Sequence, residues 1–288
     1  MRRYLTVFLV ILLAGVLGAC STNRATGKRQ LNLLSPQQEI SLGDEAAPQF
    51  LQDNGGPIPS EPIQQYVRNI GMELAALSER PNLPWEFHVL DSSVINAFAL
   101  PGGKVFMSRG LMARLDNEAQ LAGVLGHEIG HVTAKHINDQ MAQRLAVSGV
   151  LAGLGVAAEM TNEQWLQVLG IGAQVGGSVY LLKFGREDEI EADSLGLRYM
   201  SRAGYNPVGQ LQVMQILKNA SAGPGSLEIL STHPLPDTRI RRIEQIIKKE
   251  YPQYEDPGAY QFNFDRYRVQ VLEPLAKLPP PKHGGSPK

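Results

Sequence analysis

The chain has 288 residues, 43% of them hydrophobic and 19% charged, with a formal charge of −1 at neutral pH. That balance argues against a nucleic-acid binder held by a basic surface, and the length suffices for one large domain with extensions. The only cysteine is Cys20, so no disulfide can form within the chain, even in an oxidising compartment.

Residues 1–19 read as an export signal rather than as part of the fold. Arg2 and Arg3 make a short positive stretch, and residues 5–16 are apolar but too few for a comfortable membrane span. Leu17-Gly18-Ala19-Cys20 resembles a bacterial lipobox, which implies cleavage before Cys20 and a lipid on it. Ser21, a residue other than aspartate, points to the outer membrane. Residues 20–34, small and polar over 22–30, are expected to be the lipidated tether.

The domain proper is expected over 35–278. Ser35 caps a helix that opens with Pro36 and carries Glu39 in its first turn, running to about residue 50. Gly55-Gly56-Pro57-Ile58-Pro59 breaks the chain, and Ile63, Tyr66, Val67, Ile70 and Leu74 set the period of a second helix over 61–78. Residues 85–91 alternate as a strand; 94–100 and 103–108 form two more, joined as a hairpin by Pro101-Gly102-Gly103. Either Asn96-Ala97-Phe98-Ala99 or Lys104-Val105-Phe106 would suit an edge strand that holds an extended peptide by main-chain hydrogen bonds; plain core sheet is an equal alternative. His88 reads as an ordinary strand histidine. A short helix over 109–115 follows, and Asp116-Asn117-Glu118 caps the next.

That next helix carries His127-Glu128-Ile129-Gly130-His131, an H-E-x-x-H pattern. Residues four apart on a helix lie about 40° apart around the axis, so both imidazoles project from one face and can share a zinc ion. Glu128 can lean over a metal-bound water without being a ligand. His136, nine residues past His127, falls on the opposite side of a continuous helix and reads as a packing or outer-layer residue.

Residues 145–182 are apolar and rich in glycine and alanine. Two membrane spans are conceivable, but 145–158 is short and the second half carries Gln167 and Gln174, so a helical hairpin over the site is the better reading. Beyond it, residues 187–193 offer five carboxylates. A helical wheel puts Glu187 and Glu191 on a polar face, while Glu189 and Asp193 fall among Ala192, Leu195, Tyr199 and Met200. Carboxylates there are costly without a cation or donors. A zinc ion accounts for Glu189, and the ring N–H of a ligand histidine accounts for Asp193.

With H-E-x-x-H and a downstream Glu-x-x-x-Asp, the chain resembles the M48 family of zinc metallopeptidases, in particular the lipoprotein members of the bacterial envelope. The resemblance covers roughly 37–249. It implies His127, His131 and Glu189 as ligands of one Zn2+, Glu128 as catalytic base and Asp193 as the outer acid. Ser231-Thr232-His233-Pro234-Leu235-Pro236-Asp237-Thr238-Arg239 matches the family's histidine-proline segment. It implies that His233 lies near the metal, as a latch or an aid to the tetrahedral intermediate, and that Arg239 holds the loop by an ion pair. Without the resemblance, His233 would read as a loop histidine ahead of a helix over 236–250. The tail 279–288 is expected to be disordered, with no tetratricopeptide extension.

The expectation is a mostly helical α+β, zincin-like metallopeptidase domain with a small sheet, facing the periplasm on an outer-membrane lipid anchor. Three protein ligands leave a fourth zinc position for water, as in catalytic sites. The resemblance implies endopeptidase action on misfolded or stalled envelope proteins, the outer membrane's included. The alternative is a chaperone or assembly factor whose zinc is locked by His233.

Overall fold

The computed structural model describes residues 20–147, 160–169, 183–221, 228–234 and 237–282. The export-signal reading of 1–19 lies outside these residues, as does most of the helical-hairpin reading of 145–182. Ser35 opens α1 (Pro36–Asp53) with a reciprocal cap: its hydroxyl accepts from Gln38 N, and Gln38 Oε1 accepts from Ser35 N. α2 (Glu61–Ala76) follows on a proline near its first turn.

Three strands then form one sheet in the order β3 (Glu86–Leu90), β5 (Lys104–Ser108), β4 (Ala97–Leu100), with β3 parallel and β4 antiparallel to β5. Strand alternation divides the side chains between two cores. Ala97, Ala99, Val105 and Met107 join the larger core with α2 and the H-E-x-x-H helix, while Phe98, Leu100 and Phe106 face α1. Phe50 of α1 packs on Phe98 with ring centroids 4.0 Å apart. Because β5 is paired on both sides, Lys104-Val105-Phe106 has no free edge. β4, which lies against the H-E-x-x-H helix, is an outer strand of this sheet, and its four residues are buried.

α3 (Arg109–Met112) is shorter than expected. α4 (Glu118–Ala134) is capped by Asn117 Oδ1, which accepts from Gln120 N at 3.0 Å, and every residue of it is buried. It ends at Lys135, whose φ of +61° is left-handed. This break, rather than a continuous helix, decides where His136 goes: α5 (His136–Val147) starts in a new direction. The last carbonyls of α4 are satisfied from elsewhere in the chain. Arg80 Nη1 donates to Val132 O at 3.0 Å, Asn23 Nδ2 to Thr133 O at 3.0 Å and Gln30 Nε2 to Ala134 O at 2.6 Å.

Two of those donors come from the stretch expected to be a tether. β1 (Cys20–Thr22) pairs antiparallel with β2 (Arg29–Leu31), and Asn23 Oδ1 closes the turn by accepting from Ala25 N and Thr26 N. Asn138 of α5 accepts from Leu33 N and Leu34 N. Residues 22–34 are therefore packed on the domain, because their polar side chains complete a helix end. The tail is likewise docked as far as Lys282: Arg109 Nη2 donates to Pro279 O, and Ser92 bridges to Lys282.

α6 (Asn162–Leu169) lies against α1 with Trp165 buried. α7 (Arg186–Arg202) crosses α4 in backbone contact at Gly126 and Gly196; a Cβ on Gly196 would sit 2.9 Å from His127 N. α8 (Val208–Ser221), the single turn α9 (Ile229–Thr232) and α10 (Asp237–Glu250) close the far side. Among the described residues no helix is long and apolar enough to cross a membrane.

Candidate metal centre

α4 and α7 lie close enough for one ion to be held between them. His127 and His131, one turn apart, bring their Nε2 atoms to 3.0 Å from each other. Glu189 of α7 places its carboxylate oxygens 3.6 Å from His127 Nε2 and 3.5 Å from His131 Nε2. His233 follows α9 and brings Nδ1 to 2.9 Å from Glu189 Oε1 and 3.4 Å from His127 Nε2. All four side chains are buried, and their donor atoms lie within 4.8 Å of one another. Ligands about 2.0–2.2 Å from a tetrahedral zinc stand about 3.3–3.6 Å apart, so most of these separations suit that ion.

The outer nitrogens show which atoms face inward. His127 Nδ1 lies 3.0 Å from Asp193 Oδ1, and His131 Nδ1 lies 2.9 Å from His136 Nδ1. With protons held there, both Nε2 atoms offer lone pairs toward one point that also faces a carboxylate. Such a buried convergence repels itself unless a cation sits among the donors.

Protonation fits the same reading. Burial pushes the His131 imidazole well below the usual histidine range, so it is neutral and free to bind metal. Burial alone would raise Glu189, but His233, His131 and Arg239 outweigh it and hold the carboxyl well below its usual range. His233 is pulled up by Glu189 and Glu128 against its burial, the mark of a site short of positive charge.

Glu128 stands beside the cluster. Its carboxyl is buried and pushed up by that burial; Oε2 finds no hydrogen-bond partner among the described residues, and Oε1 lies 3.8 Å from His233 Nε2. An apolar cleft opens next to it, lined by Val124, Val213, Met214, Leu217, Ile229 and Leu230.

Arg239, on the first turn of α10, ties these parts together. Its Nε and Nη2 donate to the two oxygens of Asp193 at 2.8 and 2.7 Å, and Nη1 donates to Pro234 O at 2.8 Å. Nη1 also meets Glu189 Oε2. Burial would raise the Asp193 carboxyl, but Arg239 and His127 hold it below its usual range.

Three further residues join the site without a sequence signal that marks them. Gln210 of α8 donates to Asp193 O and Oδ1 at 3.1 and 3.2 Å. Phe184 stacks on His131 with centroids 3.9 Å apart. Glu191, placed on the polar face by the wheel, instead meets His136 Nε2 at 3.1 Å and Lys28 Nζ at 2.9 Å.

The model for peptidase family M48 matches residues 62–247, well over half of the chain. The chain is 32% identical over 212 residues to a beta-barrel assembly-enhancing protease of Escherichia coli, covering 72% of this chain and 43% of that protein. It is 30% identical over 248 residues to a putative beta-barrel assembly-enhancing protease of Vibrio cholerae, covering 82% and 49%. It is 31% identical over 238 residues to the mitochondrial metalloendopeptidase OMA1 of Schizosaccharomyces pombe, covering 82% and 68%. The chain thus spans less than half the length of these two bacterial relatives. It belongs to peptidase family M48.

Proposed function

We propose that this member of family M48 is a zinc-dependent metalloendopeptidase that is anchored in the outer membrane by a lipid on Cys20, faces the periplasm, and degrades misfolded or stalled envelope proteins. The lipobox-like Leu17-Gly18-Ala19-Cys20 and the names of the bacterial relatives support the location. The observation that carries the chemistry is the convergence of His127, His131 and Glu189 beside a buried Glu128 oxygen that has no hydrogen-bond partner among the described residues.

Zinc held by these three residues supplies a Lewis acid that lowers the pKa of a water to about 7 and polarises a carbonyl. An extended substrate would add to the outer edge of β4, with an apolar side chain entering the cleft beside Glu128. Glu128 takes the proton of the attacking water and passes it to the leaving nitrogen. Asp193, fixed by Arg239 and Gln210, keeps the proton of His127 on Nδ1. His233 Nδ1 stands among the same donors, so with zinc bound it would block water or substrate until it withdrew.

The place of His233 also favours a second reading, an assembly factor or chaperone with its zinc latched. Zinc-loaded mature chain should cleave casein, Glu128→Gln should keep the metal with turnover lost, and His233→Ala should be faster than wild type. Residual proteolysis in Glu128→Gln would sink the mechanism. Full complementation of a deletion strain by Glu128→Gln would favour the second reading. Cys20→Ser that still fractionates with outer membranes would overturn the anchor.

A further inference from the structure

His127 and His131 sit in unlike surroundings. His127 has a carboxylate at its outer nitrogen, whereas His131 has another imidazole. His131 Nε2 faces the metal position, so Nδ1 must carry its proton. The nearest acceptor is His136 Nδ1 at 2.9 Å, and two ring nitrogens at that distance share one proton. His136 Nδ1 therefore accepts, and a neutral His136 must carry its proton on Nε2. That nitrogen lies 3.1 Å from Glu191 Oε2, an acceptor. The second oxygen of Glu191 receives Lys28 Nζ at 2.9 Å.

Each partner in this row thus allows one tautomer of the next. His136 is 1% exposed, and its two ring nitrogens are both engaged in these contacts. The arrangement depends on the break at Lys135. On a continuous helix, residues five apart lie about 140° apart, and His136 would face away from His131. The left-handed Lys135 turns the chain, so the two rings stand 4.9 Å apart, close to perpendicular at 73°. Phe184 covers His131 and leaves it little room to turn.

We propose that His136 and Glu191 are positioning residues for the ligand His131, anchored by Lys28 of the N-terminal hairpin. The proposal rests on the metal reading of His127, His131 and Glu189. Glu191 sets the tautomer of His136, and His136 sets the tautomer and ring angle of His131. The outer shell of the site therefore ends on a segment before α1, outside the 62–247 region matched by the family model.

The test is zinc affinity of the folded chain, measured by competition with a chromophoric chelator, together with 15N NMR of the histidine rings after zinc loading. His136→Leu, which has no acceptor, should bind zinc about 10–100-fold more weakly. His136→Asn, whose amide oxygen can replace Nδ1, should recover most of that loss. Glu191→Ala should lie between them. The spectra should show His136 bare at Nδ1 and protonated at Nε2. Equal weakening in His136→Leu and His136→Asn would mean packing alone and overturn the proposal, as would wild-type affinity in all variants. If His136→Leu does not fold, Glu191→Ala and the ring spectra decide by the same criteria. Wild-type protein that takes up no zinc would overturn the metal reading, and this inference with it.

Discussion

At the scale of single residues, the site is a balance of charges that each side chain alone would upset. Arg239 is buried among Glu189, Asp193 and the Pro234 carbonyl. Replacing it with methionine keeps much of the volume and leaves two buried carboxylates without their cation. In metal-free protein, Arg239→Met should lose about 3–5 kcal/mol by urea unfolding, the cost of breaking a buried ion pair from one side. Zinc should restore part of that loss, since the metal brings positive charge to Glu189. A variant as stable as wild type without metal would show that Arg239 does not offset these carboxylates. Asp193→Asn differs: it keeps the shape but removes the charge that holds His127 Nδ1–H, and should weaken zinc about 10–100-fold.

At the scale of elements, the contact between α4 and α7 sets how far Glu189 stands from the two histidines. A methyl on Gly196 would meet His127 N at 2.9 Å, so the helices must part. Gly196→Ala should cost about 1–3 kcal/mol, and zinc affinity should fall further than that of a surface variant on α7. The sheet offers a pH test. Lys104, buried in β5, meets Asp44 and Glu86, which are about half exposed. Burial would raise the Glu86 carboxyl, but Lys104 and His88 hold it below its usual range. A carboxyl lowered in the folded state adds stability above its unfolded value of about 4.3, and that stability is lost as pH falls through the folded value. Lys104→Met should stay within about 1 kcal/mol of wild type at pH 7, since both carboxylates can return to water. Its stability should also fall less steeply than wild type between pH 5 and pH 3, about the carboxylate range.

Much of this level was legible. The cap at Ser35, the three strands and the burial of Glu189 and Asp193 all follow from side-chain chemistry and periodicity. The end of α4 was not, because Lys135 is neither glycine nor asparagine. What holds it left-handed is the set of donors on the last carbonyls, brought from Asn23, Gln30 and Arg80. Tertiary contacts, not local preference, decide such a helix end, and His136 and Glu191 depend on it.

At the scale of the whole molecule, residues 20–34 are the sharpest difference between a polar sequence and a packed one. A tether could be removed without cost to the domain. The hairpin cannot, since its removal uncovers Thr133 O and Ala134 O, frees Asn138, deletes the core residue Leu34 and takes Lys28 from Glu191. Each intramolecular hydrogen bond exchanged for one to water costs about 0.5–1.5 kcal/mol, and the lost core side chain adds to that. A chain starting at residue 35 should therefore unfold at clearly lower urea concentration than one starting at residue 20. The loss should persist without metal, because the uncovered carbonyls are independent of the ion. Zinc stabilises the folded state by RT ln(1 + [L]/Kd), about 2.7 kcal/mol at a hundredfold excess over Kd. If the hairpin also positions His131 through Lys28 and Glu191, the truncated chain should gain less than the longer one at the same free zinc. Equal unfolding midpoints for the two chains would return the segment to the status of a tether. Equal zinc increments, with unequal midpoints, would keep the hairpin as a helix cap and separate it from the metal.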